Sequence, residues 1–200
     1  MYTPAHFHED RPEILHALIR EFPLATLVMA TPSGLEATHI PFLLENGVLR
    51  GHVARANPIA NAAGAPAIAI FHGPQHYISP AWYESKKADP RVVPTWNYIA
   101  VHVHGPIRTF TGKTRLLQIV ADLTEHFESV ESGHPNPWSI HDAPPEYIDK
   151  LLSAITGIEI PVERLEGKWK GSQNRPVEDR NSVIEALAGH PMAAAIKAAL

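Results

Sequence analysis

Residues 24–54, "LATLVMATPSGLEATHIPFLLENGVLRGHVA", hold three apolar runs set apart by turn-forming residues. Apolar runs at 24–31, 35–45 and 48–54 have strand length and are rich in strand-forming residues. Pro32-Ser33-Gly34 and Asn46-Gly47 separate them. Asn-Gly is the pair that best accepts the positive φ angles of a tight hairpin turn, so three antiparallel strands joined by short turns are predicted.

Downstream, 67–73 ("AIAIFHG") and 75–80 ("QHYISP") read as two more strands, divided at Gly73-Pro74. Residues 94–110 ("PTWNYIAVHVHGPIRTF") read as one long strand that bends or runs along an edge at Pro106. About six strands therefore fall within the first 110 residues, with no helical crossover long enough for a parallel sheet. A small antiparallel barrel is the expected closure.

Helical patterns frame this β-rich stretch. At 10–22, Asp10 stands three residues before Glu13, a capping-box spacing, and Ile14, Leu15, Leu18, Ile19 and Phe22 share one face. A short helix is expected from Asn57-Pro58. Residues 112–129 and 144–155 read as helices, 156–171 as strand, and 176–190 and 191–200 as helices. The expected class is α+β, mainly β with helices. One domain spans 1–200, with a barrel core over about 22–110 and a helix-and-strand part over about 111–200.

The composition is that of a globular protein: 44% hydrophobic, 19% charged, net charge -4. Such a balance gives no global attraction to DNA or anionic lipid. The absence of cysteine removes disulfides, thiolate nucleophiles and thiolate zinc sites. No stretch approaches a membrane span and no basic-then-apolar leader opens the chain, so a cytoplasmic protein without membrane contact is expected.

Few motifs carry chemistry by themselves. His102 and His104 alternate with Val101 and Val103, which puts both imidazoles on one strand face. No spaced ligand set or nearby carboxylate accompanies them, so a hydrogen-bonded pair is expected and no metal. His6 and His8 are expected in a mobile, solvated terminus. Ser79 sits in no GxSxG elbow, and phosphate-loop and dinucleotide glycine patterns are missing. Phe71, Tyr77, Trp82 and Tyr83 are expected mainly in packing, with a stacking surface as the alternative. At 51–58 ("GHVARANP") Arg55 precedes a helix start, a combination that suits an anion, although an ordinary cap explains the same residues.

"GKWKGSQNRP" at 167–176 sets Lys168, Lys170 and Arg175 around Trp169 with no carboxylate among them. That suits a nucleic-acid strand, one bound phosphate or a partner subunit; the bland alternative is a basic loop paired with Glu163 or Glu166. Three phosphate contacts would give a salt slope of only about -2.7, too few for tight DNA binding by charge. One phosphate needs just two or three charge-assisted hydrogen bonds.

Taken in order, "MYTPAHF", "ATHIPF", "GHVARANP", "FHGPQHYISPAWY", "VPTWNY", "VHVHGPIR", "AITGIEIPVERLEGKWKGSQNRP" and "DRNSVIEAL" resemble the PaiB-like family, proteins with an FMN-binding split barrel often described as transcriptional regulators. The resemblance implies a homodimer with FMN at the subunit interface and a K-aromatic-K-x-S-Q-N hallmark at 168–174, in which Gly171 stands where the family carries an apolar residue. It implies Arg55 and Asn57 at the phosphate. Thr38, His39, Ile40, Pro41, His52, Val53 and Ala54 would lie along the ribityl chain and ring, and Trp96 or Asn97 at the ring edge. Lys168 or Lys170 would add charge to the phosphate, and Ser172 and Gln173 hydrogen bonds.

Two functions from different classes follow: a negative transcriptional regulator with a DNA or protein partner, or an FMN-dependent oxidoreductase or flavin reductase. A third reading, haem binding or degradation, rests on His102 or His104 as an iron ligand.

Overall fold

The computed structural model describes residues 1–31, 34–130 and 132–198. Pro32 and Ser33 of the first predicted turn, and the last two residues of the predicted C-terminal helix, lie outside these. In chain order the elements are β1 (His8–Glu9), α1 (Pro12–Glu21), β2 (Leu24–Thr31), β3 (Gly34–Pro41), β4 (Leu43–Glu45), β5 (Val48–Ala54), β6 (Pro66–Ile78), β7 (Thr95–Pro106) and β8 (Arg108–Phe110). Then come α2 (Lys113–Val130), α3 (Pro145–Ser153), β9 (Ile155–Pro161), β10 (Arg164–Lys170), α4 (Val177–Ala186) and α5 (Pro191–Ala198). The strands form two antiparallel sheets, so the class is α+β as expected. The chain makes two compact units: one from Met1–Phe22, Phe71–His102 and Leu165–Leu200, the other from Pro23–Ile70 and Val103–Arg164.

In the first unit the strand order is β1-β10-β7-β6. Helix α1 buries Leu15, Leu18 and Ile19, the face its periodicity predicts. The capping box does not form. Pro12 occupies the first helical turn and makes Arg11 the cap residue, while the Glu9 carboxylate takes the Arg11 backbone N–H (3.0 Å) and its guanidinium (2.6 and 2.8 Å). Nor is the N-terminus loose. His8 pairs with Lys168 and Glu9 with Gly167 across β1 and β10, and the Met1 amine lies 2.7 Å from Glu166 Oε2. His6 and His8 are exposed, as expected.

Strand β6 runs unbroken where two strands are predicted. Its buried positions are Ala67, Ala69 and Phe71, then Ile78, so the alternation slips by one residue between them. Gly73 sits in that interval because a helix leans on it. A Cβ there would meet Leu18 Cδ1 at 2.8 Å and Ile99 Cβ at 3.2 Å. Gly73-Pro74 thus marks a change of face and a close approach, not a chain reversal.

The second unit holds the β6-β2-β3 portion and the four-stranded sheet β4-β5-β9-β8. Two predicted strands divide here. The run 35–45 breaks at Phe42, so that β3 pairs with β2 while β4 pairs with β5. The run 94–110 breaks at Ile107, so that β7 and β8 enter different sheets. At both corners a fully buried side chain anchors the bend and its N–H leaves the strand ladder, Phe42 to Pro23 O (3.0 Å) and Ile107 to Ala65 O (2.9 Å). Asn46 and Gly47 have φ of 48° and 74°, as the turn requires.

Helices α2 and α3 cover the four-stranded sheet, with Leu116, Ile148 and Leu152 in one cluster and Leu43, Ile119 and Leu123 in another, both touching Phe110. The β2–β3 pair is uncovered on one face. Leu24 (61% exposed) and Leu35 (80% exposed) stand there, and the register adds Val28, Ala37 and Ile68. Among the described residues no helix is long and apolar enough to cross a membrane.

Candidate functional site

The residues expected at the cofactor fall into two groups, one in each unit. In the second unit, strand alternation sends Thr38 and His39 to opposite faces of β3. Thr38 Oγ1 accepts from Asn57 Nδ2 at 3.4 Å, and His39 Nδ1 lies 3.1 Å from Thr26 Oγ1 on the uncovered face. Ile40 and Val53 are buried in the core, so only their backbone is available to a ligand. Pro41 and Ala54 are exposed.

The anion feature after β5 is smaller than predicted. Pro58–Asn61 is a single 3-10 turn, and Asn57 Oδ1 is used as its cap, accepting the Ile59 N–H at 3.0 Å. Arg55 is held through its backbone, N–H to Ala154 O at 2.8 Å, while its guanidinium is exposed and has no partner among the described residues. Beside it on β5, His52 has a buried Nδ1 without a hydrogen-bond partner, and burial pushes its pKa below the ordinary imidazole value. An unpaired cation and an orphaned imidazole nitrogen three residues apart are polar groups left open by the fold itself.

In the first unit the segment after β10 is a self-bonded turn. Gln173 uses both ends of its amide locally: Oε1 accepts the Gly171 N–H at 2.7 Å and Nε2 donates to Trp169 O. Ser172 is buried with φ at 64°, and its Oγ accepts from Asn97 Nδ2 at 2.8 Å, leaving Asn97 Oδ1 buried without a partner. Trp96 is 52% exposed and meets Tyr77 edge to face at 6.3 Å, so Tyr77 belongs to a stacking surface rather than to the core.

The cations of "GKWKGSQNRP" are not a surface stripe. Arg175 lies over the Tyr83 ring at 4.6 Å; Lys168 is buried and donates to Tyr2 O at 3.0 Å; Lys170 donates to Thr95 Oγ1 at 2.6 Å. Among the described residues of this unit neither lysine pairs with Glu166. Sequence reasoning missed Tyr2, Thr95 and Tyr98 as neighbours of these lysines, although all three lie in the quoted stretches "MYTPAHF" and "VPTWNY".

The two strand histidines have protein partners. His104 Nδ1 accepts from Arg164 at 3.0 Å, and His102 Nδ1 lies 4.0 Å from Glu166 Oε2, a carboxylate that the sequence neighbourhood did not reveal. In the second unit a cavity of about 540 Å³ opens on the uncovered β2–β3 face, lined by Val28, Leu35, Ile68, His104 and Arg164 among others, and by none of the residues expected at the cofactor.

Residues 1–164 match the family described as "Putative FMN-binding domain". An uncharacterised protein of Emericella nidulans is 36% identical over 226 residues, covering 94% of this chain and 90% of that protein. The Bacillus subtilis protein named protease synthase and sporulation protein PAI 2 is 31% identical over 196 residues, covering 94% and 89%. The FAD and heme binding protein of Mycobacterium smegmatis, only 15% identical, shares the fold with a TM-score of 0.62 over 88% of this chain and 78% of its own. Two antiparallel sheets, the ordered motifs and the match over most of the length agree: the chain belongs to the PaiB-like family, built on the FMN-binding split barrel.

Proposed function

We propose that the chain binds FMN as a homodimer and serves as a regulatory protein whose flavin is its ligand. The observation that carries the cofactor is the family match over residues 1–164. The residues present fit the group. Arg55 offers an unpaired guanidinium to a phosphate, Asn57 and Thr38 stand on the adjoining turn and strand, and His52 holds a nitrogen in need of a partner. FMN, when bound, supplies a redox-active ring; this chain's residues bind and orient it.

The uncovered β2–β3 face supports the dimer. Leu24, Val28, Leu35 and Ala37 form an apolar surface suited to a second copy. The regulatory role draws support from the Bacillus subtilis relative, whose name carries the words protease synthase and sporulation. Buried Lys168 and ring-bound Arg175 offer little to a DNA backbone, which favours a protein partner.

A second reading, an FMN-dependent oxidoreductase, is favoured by one observation: Trp96 and Tyr77 present open ring surface on which a substrate can lie. Equilibrium dialysis with FMN tests the cofactor, and NADH or NADPH oxidation by the FMN-loaded protein separates the two roles. Binding without turnover supports the regulator, turnover supports the enzyme, and no binding overturns both.

A further inference from the structure

Within the second unit, helix α2 and the proline-rich loop that follows it border a further cavity of about 440 Å³, a size suited to a small molecule. Its helical wall presents Glu125 and Glu128, and Trp138, Ser139 and His141 line the other side. None of the residues expected at the cofactor takes part. The loop wall is fixed by the chain itself. Ile140 is buried in a cluster with Leu116, Ile148 and Leu152, Ser139 and Asp142 form a reciprocal capping box, and the Trp138 N–H donates to Glu128 Oε2 at 3.0 Å. Trp138 is nonetheless 45% exposed, so a large ring stands open on a backbone that is held in place.

The charge around that ring has one sign. Glu128 lies in the last turn of α2 and Glu125 one turn before it, at the end of the helix where the dipole is negative, and the last turn carries no basic residue to offset them. Among the described residues no lysine or arginine lines the cavity, Glu125 has no ion-pair partner, and Glu125, Glu128 and His141 do not converge closely enough to hold a metal ion. A small inorganic cation needs such convergence. An organic ammonium does not, because a ring face and nearby carboxylates attract it without directed coordination. We propose that this cavity binds a small alkylammonium ion, its cationic head over the Trp138 ring and beside Glu125 and Glu128. The site does not rest on the cofactor reading.

The test uses choline and its uncharged isostere 3,3-dimethylbutan-1-ol, in which carbon replaces the nitrogen, titrated calorimetrically into the full flavin-free chain at low ionic strength. Choline is expected to bind at millimolar concentration or below, and the alcohol at least about 10-fold more weakly. Added salt is expected to weaken choline and leave the alcohol unchanged. Trp138→Leu is expected to weaken choline about 3-fold to 30-fold, and Trp138→Phe, which keeps a ring face, to weaken it less. Glu125→Gln combined with Glu128→Gln is expected to weaken it about 3-fold or more. Gln at 128 keeps an oxygen for the Trp138 N–H, so the thermal midpoint of that double variant is expected to stay within a few degrees of the wild type.

Choline that fails to bind, or an alcohol that binds as well as choline, overturns the proposal. So does choline affinity that neither Trp138→Leu nor the double Gln variant changes. Should Trp138→Leu lower the midpoint, the double Gln variant decides, because it removes the charge and leaves the loop held.

Discussion

Arg55 stands just beyond β5 with its backbone tied to Ala154 and its guanidinium open, so its side chain contributes little to the fold. Arg55→Ala is therefore expected to leave the thermal midpoint within a few degrees while weakening FMN about 10-fold to 100-fold, the loss of a charge-assisted contact, as measured by dialysis. His52 makes a different demand. Burial depresses its folded pKa below the unfolded value of about 6.5, so across the interval between the two the unfolded chain binds more protons. Stability accordingly rises with pH through that interval and is lost as pH falls through it. Urea midpoints measured from about pH 7 to about pH 5 are expected to decline, and His52→Gln is expected to flatten that decline.

Strand β10 shows what a single element asks of its residues. Gly167 faces α1 so closely that an added Cβ would lie 2.3 Å from Leu15 Cδ2 and 2.5 Å from Glu9 O, whereas at Gly171 the nearest atoms are at 3.5 Å. Gly167→Ala is expected to cost about 1–3 kcal/mol in denaturant unfolding, and Gly171→Ala to stay near neutral; equal costs would contradict this packing. A Cβ at Gly171 would make ordinary contact with Ile196 of α5.

The same scale shows what the sequence made legible. The Asn46-Gly47 turn, the buried face of α1 and the strands flanking them follow from local rules of spacing and φ. The corners at Phe42 and Ile107 do not, because each is decided by where one buried side chain and its N–H are taken up by distant chain. Gly73-Pro74 misled for a similar reason: the glycine answers to Leu18, far away in sequence. Of the candidate site, residue types and their grouping along the chain were legible. That Lys168 meets Tyr2 and Tyr98 depends on tertiary pairing that no motif encodes.

The uncovered β2–β3 face makes a demand on assembly, because its apolar side chains have no cover among the described residues. Sedimentation equilibrium is expected to give about twice the chain mass of 22.0 kDa. Leu35 is 80% exposed, so Leu35→Glu is expected to shift the protein toward monomer without lowering the monomer's own stability. A protein that stays at one chain mass in both forms would remove the interface. Whether this split barrel is a flavin protein is read from the visible absorption spectrum of the purified chain after incubation with FMN and removal of the excess by gel filtration. Flavin bands are expected to travel with the protein and to fade when Arg55 is replaced by Ala; a colourless protein, or a Soret band in place of the flavin bands, would show that it is not one.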